Sequence, residues 1–572
     1  MSLEAAHPIL TPIDPPSPVR AGMLTVRSLL LVHGGPQTVL VHGLHVPLHL
    51  LPGPRADHRA ALLVHLHHQL LRHLLGVAEV LLEHVGDVRH QVDRVVPHDR
   101  HPGLRGLGDL VGSESRLDLD GGRHGAHVGT LGHVSLTPAP STGLGTESST
   151  ALLTDHYELT MLQAALAAGT ADRRAVFELF PRRLPEGRRY GVVAGVGRAL
   201  DAVERFRFDE QVLAVLADVV DAPTLEWLAS YRFSGDVWGY AEGEAYFPYS
   251  PIAIVESTFA EAVLLETLLL SIYNHDSAIA SAASRMTLVA GDRPCIEMGS
   301  RRTHEEAAVA AARAAYVAGF ATSSNLAARQ RYGVPSAGTS AHSFTLLHDS
   351  EADAFRAQVD SLGTGTTLLV DTYDVAEAVR LAVEVAGPEL GAVRLDSGDL
   401  GALAHEVRAE LDRLGATRTR IIVTSDLDEF AIAALAAAPV DGYGVGTELV
   451  TGSGHPTSGF VYKLVARADD AGELVPVAKR SVDKASIGGR KYALRRRDAS
   501  GTAEAEVVGI GTPPVDDGDD RPLLVPLVRA GEVVGREPLD DARARHLAAR
   551  AELPVAVQQM SRGEPVIPTL HV

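Results

Sequence analysis

From about residue 290 the chain repeats one pattern, in which a short apolar run ends in small, hydroxyl-bearing or charged residues and a helix-like segment follows. The segments between the runs, such as 375–385 and 403–414, have the apolar period of an amphipathic helix. Strands that alternate with helices predict a parallel sheet. The runs are Cys295–Met298, Gly319–Ala321, Val334–Ala337, Thr367–Val370, Ala392–Leu395, Ile421–Val423 and Tyr443–Val445.

The number of repeats favours an irregular, TIM-like α/β barrel formed by residues 266–469. In such barrels the residues at the carboxyl ends of the strands form the site. A doubly wound sheet is the alternative, but no GxGxxG sequence follows a strand to support it. Residues 148–265 and 470–572 mix strands and turns. They predict a smaller α+β sheet domain assembled from both flanks of the barrel.

Residues 1–147 differ from the rest in composition. The first 150 residues hold 17 of the 26 histidines and no Phe, Tyr or Trp. Large aromatic side chains normally dominate a core, so we expect residues 1–147 to be disordered or a spurious extension. The histidines lack regular metal-ligand spacing, although a histidine-rich metal-binding tail is an alternative.

Charge and cysteine content exclude several classes of protein. A net charge of −20 argues against nucleic acid or an anionic membrane as a general partner. Cys295 is the single cysteine, so we expect no disulfide framework and a reducing, cytoplasmic compartment. We expect neither a signal peptide nor a membrane span, since histidines and an arginine interrupt the apolar stretch 60–85.

Two predicted strands end in sequences suited to phosphate or ribose chemistry. Residues 396–399 read DSGD, and carboxylates there can bind ribose hydroxyls or the Mg²⁺ of a diphosphate. Asp399 is expected to cap the following helix, which leaves Asp396 as the functional candidate. Gly446-Thr447 follows a late strand, where barrels often bind phosphate through backbone N–H groups, although a tight turn is the alternative.

Cations are scarce in this acidic chain and stand in two places. Arg301 and Arg302 follow a predicted strand and can hold a carboxylate or phosphate by paired hydrogen bonds, or else are simply solvated. A late cluster contains all the lysines and suggests either an anion site or a solubilising surface. Its members are Lys463, Lys479, Arg480, Lys484, Arg490 and Lys491.

Residues 338–343 read GTSAHS, whose small and hydroxyl residues leave room for an anion beside His342. Five segments together resemble nicotinate phosphoribosyltransferases and occur in that family's order; the resemblance covers about 150–490. The segments are Leu152–Met161, Glu297–Arg302, Gly338–Ser343, Arg394–Asp399 and Gly446–Thr447.

The resemblance implies a type II phosphoribosyltransferase, commonly a homodimer with active sites near the subunit interface. The implied reaction joins nicotinate to phosphoribosyl pyrophosphate and releases pyrophosphate and nicotinate mononucleotide, an entry step of salvage to NAD. ATP hydrolysis is coupled to it as a co-substrate reaction, and Mg²⁺ is required.

The resemblance also implies residue roles. His342 matches the histidine that becomes phosphorylated, and Asp396 is the second catalytic candidate and a possible Mg²⁺ ligand. Tyr157 would border the pyridine ring, Thr339 and Arg302 would help bind nicotinate, and Asp396 would hold the ribose and diphosphate with Ser397. The remaining substrate-binding candidates are Ser343 and Arg394, with Gly446 and Thr447 for the phosphate.

Three rival functions are weighed against this reading. Nicotinamide phosphoribosyltransferases place an acidic residue where this chain has Thr322-Ser323-Ser324, and that acid would repel a carboxylate. A quinolinate phosphoribosyltransferase needs more basic residues and lacks the GTSAHS histidine. A non-catalytic nucleotide-binding barrel is disfavoured because His342, Asp396 and Arg302 are intact.

Overall fold

The computed structural model describes residues 30–34, 37–41, 148–479 and 486–572. The predicted N-terminal extension, 1–147, lies outside the described residues apart from one hairpin. In that hairpin Leu30–Gly34 pairs antiparallel with Gln37–Val41.

The strands of the described residues are numbered in chain order. They are β1 (Leu30–Gly34), β2 (Gln37–Val41), β3 (Arg174–Pro181), β4 (Gly191–Val192), β5 (Asp236–Tyr240), β6 (Ala245–Tyr246), β7 (Ala253–Thr258), β8 (Cys295–Glu297), β9 (Thr322–Ser323), β10 (Thr367–Leu369), β11 (Ala392–Leu395), β12 (Arg420–Ser425), β13 (Gly442–Val445), β14 (Phe460–Ala468), β15 (Leu474–Pro476), β16 (Lys491–Arg497), β17 (Ala503–Ile510), β18 (Arg521–Pro522), β19 (Leu524–Arg529), β20 (Glu532–Val533) and β21 (Thr569–His571).

The α-helices of the same residues are numbered likewise. They are α1 (His156–Ala167), α2 (Val196–Glu204), α3 (Glu210–Leu216), α4 (Ala222–Ser230), α5 (Phe259–Val263), α6 (Glu266–Ala290), α7 (Glu305–Val317), α8 (Leu326–Tyr332), α9 (His342–Leu347), α10 (Glu351–Leu362), α11 (Val375–Ala386), α12 (Leu400–Arg413), α13 (Glu429–Ala434), α14 (Thr447–Val450) and α15 (Leu539–Ala551). Among these helices, none combines the length and apolar character that a membrane crossing requires.

The predicted strand-helix repeat forms a six-stranded, all-parallel sheet in the order β10-β11-β12-β13-β8-β9. Five of the seven predicted runs coincide with strands of this sheet. The run Gly319–Ala321 lies just before the observed strand, since the residues that pair with β8 are Thr322 and Ser323 of β9. The run Val334–Ala337 forms only a bridge from Ser336 to Ser323, since Pro335 lacks the N–H that a longer ladder would need.

Polar residues at the strand ends start the intervening helices. Asp374, Asp399 and Asn325 each accept a hydrogen bond from a backbone N–H in the first turn of α11, α12 and α8 respectively. Such caps satisfy amide groups that have no partner within the helix. The residues that follow each of these strands therefore also begin the next helix.

A second sheet draws on both flanks, in line with the expected α+β region. Its order is β15-β14-β3-β7-β5-β19-β20, and every pairing in it is antiparallel. Strand β14, Phe460–Ala468, pairs along β3 although it precedes the predicted domain boundary at residue 470. A smaller sheet has the order β18-β16-β17-β21.

Helix α6 connects the two cores. Its first turns bury Leu268 and Tyr273 with the aromatic residues of the antiparallel sheet. Its later turns bury Ile279 and Met286 with the strands of the parallel sheet. One 25-residue helix therefore fixes the two sheets relative to each other.

One loop links the β9 edge of the parallel sheet to β11, the strand next to the opposite edge. Ser336 bridges to β9 at one edge. Three residues later the same chain reaches β11, where Arg394 donates to Thr339. Within the described residues β10 pairs with β11 alone, so the ladder itself stays open at this point.

Candidate active site

All the strands of the parallel sheet end at one side, which we call the carboxyl end of the sheet. The loops that follow β8, β9, β10, β11, β12 and β13 therefore lie side by side, with neighbouring strands about 4.8 Å apart. The predicted site residues between 298 and 447 lie in these loops, in the crossing loop 337–342 or at the start of the helix that follows a loop, except Arg394, which lies within β11.

Arg394, in β11, holds three of these segments together. Its Nε donates to Thr424 Oγ1 at 2.9 Å and its Nη2 to Asp396 Oδ1 at 3.0 Å. Its Nη1 donates to Thr339 Oγ1 at 2.9 Å and to the Ser340 carbonyl oxygen at 3.1 Å. The side chain is buried, so its charge acts on these neighbours with little screening by water.

Asp396 is kept ionised by its partners. Burial favours the neutral acid, but hydrogen bonds from Thr424 and Arg394 outweigh it and hold the pKa of Asp396 below its ordinary value. Both bonds use Oδ1. The other oxygen, Oδ2, lies 3.8 Å from His342 Nε2.

His342 begins α9 and faces two carboxylates. Its Nδ1 lies 3.1 Å from Thr372 Oγ1. Its Nε2 lies 3.9 Å from Asp371 Oδ1 and 3.8 Å from Asp396 Oδ2. The side chain is 41% exposed, so the imidazole is held through Nδ1 while part of the ring remains open to solvent.

Asp371 is a site residue that the sequence analysis did not assign. Its side chain is only 2% exposed. Oδ2 accepts the Asp396 N–H at 2.9 Å and the Ser397 hydroxyl at 2.7 Å. Oδ1 is buried without a hydrogen-bond partner in the described structure. Its one signal in the sequence is its position directly after a predicted strand, a position that Thr424 shares and that Thr372 misses by one residue.

The DSGD segment contains the predicted helix cap. Asp399 accepts the Ala402 N–H at 3.1 Å and caps α12. Gly398 has a φ of +84°, a conformation that residues with a Cβ rarely adopt. This turn lets Asp396 and Ser397 face Asp371 while Asp399 faces the helix.

The β8 and β13 loops form a second group farther along the carboxyl end. A Cβ on Gly299 would lie 3.0 Å from the Gly446 carbonyl oxygen, so the loop that carries Arg301 and Arg302 packs directly on the Gly446-Thr447 loop. Both arginines are exposed. Within the described residues, the His342 side chain makes no hydrogen bond to this group or to the Ser343 side chain.

Tyr157 belongs to helix α1 and makes no hydrogen bond to either group within the described residues. It stands in the first turn of α1, next to the Asp155 cap, and is 43% exposed. Partial burial, reinforced by the negative charges of Glu266 and Glu158, raises its pKa to about 12. The phenol is therefore neutral near pH 7 and suited to stacking or hydrogen bonding.

Three of the four late cations within the described residues form internal ion pairs, and the fourth, Lys479, is exposed. Lys491 is buried and donates to Glu178 at 2.7 Å. Lys463 lies 3.4 Å from Glu266, and Arg490 pairs with Glu256 at 3.0 Å. Two members of the cluster, at 480 and 484, lie outside the described residues. These three pairs favour a structural role over an anion site.

Sequence comparison identifies relatives of the chain. Residues 152–274 match the model of the nicotinate phosphoribosyltransferase (NAPRTase) N-terminal domain. Nicotinate phosphoribosyltransferase pncB1 of Mycobacterium tuberculosis is 60% identical over 427 residues, which cover 73% of this chain and 94% of the relative. The chain belongs to the nicotinate phosphoribosyltransferase family.

More distant members of the nicotinate phosphoribosyltransferase family agree with this assignment. The Bacillus subtilis enzyme is 38% identical over 363 residues, covering 61% of this chain and 74% of that enzyme. The crystal structure of human nicotinic acid phosphoribosyltransferase superposes with a TM-score of 0.63 at 26% identity, covering 73% of this chain and 97% of the human one. The resemblance noted in the five sequence motifs is confirmed.

Proposed function

We propose that this protein transfers the phosphoribosyl group of phosphoribosyl pyrophosphate to nicotinate, releasing pyrophosphate and nicotinate mononucleotide for NAD salvage. The observation that carries the proposal is the cluster of His342, Asp371, Arg394 and Asp396 at the carboxyl end of a parallel sheet, in a chain of this family.

The transfer suits the chemistry of these residues. The pyridine nitrogen forms a bond to the ribose C1, and the bond from C1 to the pyrophosphate oxygen breaks. The sugar is cation-like in the transition state, where both bonds are weak. The ionised Asp396 stabilises positive charge at that stage, and fixed hydrogen-bond donors orient the leaving group. We assign the ribose and diphosphate side to Asp396 and Ser397, with Gly446 and Thr447 at the phosphate through backbone N–H groups.

Mg²⁺ fits the oxygen atoms that this cluster leaves unused. Asp371 Oδ1 has no hydrogen-bond partner in the described structure, and Asp396 Oδ2 makes none of the bonds that bind Oδ1. Mg²⁺ prefers one or two carboxylates plus substrate phosphates, so these two atoms would hold it. The ion would neutralise charge on the diphosphate.

His342 is our candidate for phosphorylation by ATP. If Nδ1–H donates to Thr372, the lone pair lies on Nε2, the nitrogen that faces Asp371 and Asp396 in a partly exposed side chain. In the proposed step Nε2 forms a bond to the γ-phosphorus, the bond from that phosphorus to the β-bridging oxygen breaks, and ADP leaves. Water later cleaves the N–P bond and returns inorganic phosphate and the free imidazole.

Preference for nicotinate over nicotinamide rests on charge. The strand end Thr322–Ser324 carries no acid, and neither Arg301 nor Arg302 is paired with a protein carboxylate in the described structure. An unpaired guanidinium suits the carboxylate of nicotinate. We place Arg302 and Thr339 at that carboxylate and Tyr157 at the face of the pyridine ring.

Three broader features complete the proposal. The approach of loop 336–342 to β11 supports an irregular, incompletely closed α/β barrel. We also infer a homodimer with active sites near the subunit interface, as the family resemblance implies. The buried, free Cys295 suits a reducing cytoplasmic compartment.

The test is pyrophosphate release measured with nicotinate and nicotinamide in parallel, with and without ATP and Mg²⁺. We expect release with nicotinate, stimulated by ATP, and little with nicotinamide. Equal or better use of nicotinamide would support the rival transferase. Tight nucleotide binding without pyrophosphate release from either base would support the non-catalytic alternative.

A further inference from the structure

Glu297, the last residue of β8, is a fully buried carboxylate to which no role has been given so far. Its Oε1 accepts the Gly299 N–H at 2.5 Å, and its Oε2 accepts the hydroxyl of Ser323. Burial raises its pKa, against the opposing effect of these two hydrogen bonds. A buried acid is costly unless its bonds are made, so this one holds its two partners firmly.

The two partners belong to different loops. Gly299 starts the β8 loop that carries Arg301 and Arg302. Ser323 ends β9, and its Oγ also accepts the Asn325 N–H at 2.8 Å. Asn325 in turn donates from Nδ2 to Ser300 Oγ at 3.0 Å. The bonds form a closed chain through Glu297, which joins the β8 loop to the β9 loop at two points.

The β13 loop packs against Gly299. A Cβ on Gly299 would lie 2.2 Å from Val450 Cγ1, 3.0 Å from the Gly446 carbonyl oxygen and 3.2 Å from Glu297 Oε1. The position admits glycine alone without movement of its neighbours. The Met298 N–H also donates to the Val445 carbonyl oxygen at 2.8 Å. Gly299 and Met298 therefore hold the β8 loop on the β13 loop, whereas the carboxylate of Glu297 bonds only to the β8 loop and β9 within the described residues.

Arg301 and Arg302 do not fix themselves. Both are exposed, and neither side chain makes a hydrogen bond or ion pair with the described residues. Their direction is set by the backbone of residues 299–302, a short 3₁₀ turn closed by the Arg302 N–H to the Gly299 carbonyl oxygen at 2.8 Å. The residue that anchors Gly299 consequently sets where the guanidinium groups point.

We propose that Glu297 is a positioning residue for substrate recognition: by bonding Gly299 and Ser323 it holds the β8 loop so that its arginines meet the nicotinate carboxylate. The inference rests on the proposed function for its substrate and on the bonds alone for its mechanics. Glu297 touches no substrate in this scheme and acts through Gly299.

The main test is the variant Glu297→Ala, with steady-state kinetics for each substrate. We expect the KM for nicotinate to rise about tenfold, because an unanchored loop loses the direction of its donors. The KM for phosphoribosyl pyrophosphate should change less than about twofold. The isosteric Glu297→Gln keeps one acceptor for the Gly299 N–H and should recover most of the affinity for nicotinate.

Two further variants keep the test decisive if Glu297→Ala folds poorly. Ser323→Ala removes one partner and leaves the carboxylate in place, so it should raise the KM for nicotinate about threefold. Glu261→Ala is the matched control, since Glu261 also accepts a backbone N–H, from Ser234, and a serine hydroxyl, from Ser257. Glu261 lies in the flanking region, and its loss should leave both KM values unchanged.

Amide hydrogen exchange tests the mechanics without catalysis. Exchange at residues 298–302 should accelerate in Glu297→Ala and Ser323→Ala and not in Glu261→Ala. Unchanged exchange, an unchanged KM for nicotinate in a folded variant, or an equal rise in both KM values would overturn the proposal. If the wild-type protein itself does not use nicotinate, the proposed function fails, and the exchange measurement still decides whether Glu297 anchors the loop.

Discussion

Charged groups in the flanking sheets bond mainly to protein partners, whereas at the carboxyl end of the parallel sheet a fully bonded group, Arg394, stands beside groups with unpaired atoms. In the flanking region Arg521 makes four hydrogen bonds, two to Glu244 and two to Glu552. Lys491 makes three, to Glu178 and to two carbonyl oxygens. These side chains use their bonding capacity on protein partners.

At the carboxyl end three ionisable side chains leave polar atoms without a protein partner or open to solvent. Asp371 leaves Oδ1 unbonded in the described structure, the His342 side chain is 41% exposed, and the Arg302 side chain pairs with none of the described residues. Unpaired atoms alone do not mark a site, because the fully buried Arg495 also leaves Nε and Nη1 without partners. What distinguishes the carboxyl end is that its unpaired polar atoms lie on neighbouring loops that meet at one end of the sheet.

The largest expected effect breaks this comparison at His342. In His342→Asn, ATP hydrolysis and ATP stimulation should be lost by roughly three orders of magnitude, because asparagine has no nucleophilic ring nitrogen. A slow ATP-independent transfer should remain. Labelled ATP should leave an acid-labile, base-stable phosphate on the wild type only.

A nearby histidine provides the control for this variant. His348 lies six residues further along, with Nδ1 at 2.8 Å from the Phe344 carbonyl oxygen, and His348→Asn should label like the wild type. A His342→Asn protein that still accepts phosphate, or still responds fully to ATP, would make His342 a packing residue.

The second prediction concerns the flanking region, where a charge should matter for stability alone. Lys491→Met leaves the buried Glu178 without its cation, and breaking a buried pair in this way costs about 3–5 kcal/mol of unfolding free energy. Urea unfolding should show that loss, while kcat and both KM values of the folded protein stay near the wild type. Lys463→Met, at a partly exposed lysine, should cost less than about 1 kcal/mol. A selective rise in a KM for Lys491→Met would place the late cations in the site after all.

The third prediction is smaller and lies at the carboxyl end. Arg302→Lys should raise the KM for nicotinate about tenfold and leave that for phosphoribosyl pyrophosphate nearly unchanged, since lysine cannot reproduce a bidentate contact. Arg301→Lys, measured in parallel, is the matched variant. If it produces the larger effect, the carboxylate contact belongs to Arg301.

The sequence predicted the parallel sheet because its signals are local. Each of β8, β10, β11, β12 and β13 is an apolar run followed by residues that cap a helix or turn, and such patterns need no knowledge of distant contacts. Strand β9 was misplaced because it is two residues long and its partner segment contains a proline.

The contacts of the site depend on register, which the sequence does not display. Arg394 reaches Thr424 because β11 and β12 pair with Arg394 opposite Ile422. Asp371 was missed because an aspartate after a strand reads equally well as a helix cap. The pairing of Lys491 with Glu178 spans 313 residues, so the lysine cluster suggested an anion site when its cations serve the fold.

The smallest expected effect contrasts His342 with His546, a histidine of α15 that is buried with Nε2 unpaired in the described structure. Burial, with the nearby Arg550 charge, lowers the pKa of His546 to about 3. In the unfolded chain a histidine titrates near pH 6.5, so the unfolded state takes up a proton first. The contribution to stability is complete above about pH 6.5 and is lost as the pH falls toward 3, by at most about 1.4 kcal/mol per unit. His546→Gln should remove this term, so the difference in unfolding free energy between wild type and variant should shift by roughly 1 kcal/mol between pH 7.5 and 5.5 in urea titrations. A difference that does not change with pH would mean that His546 takes up its proton equally in both states, and that the flanking region tolerates a buried charge as readily as the carboxyl end does.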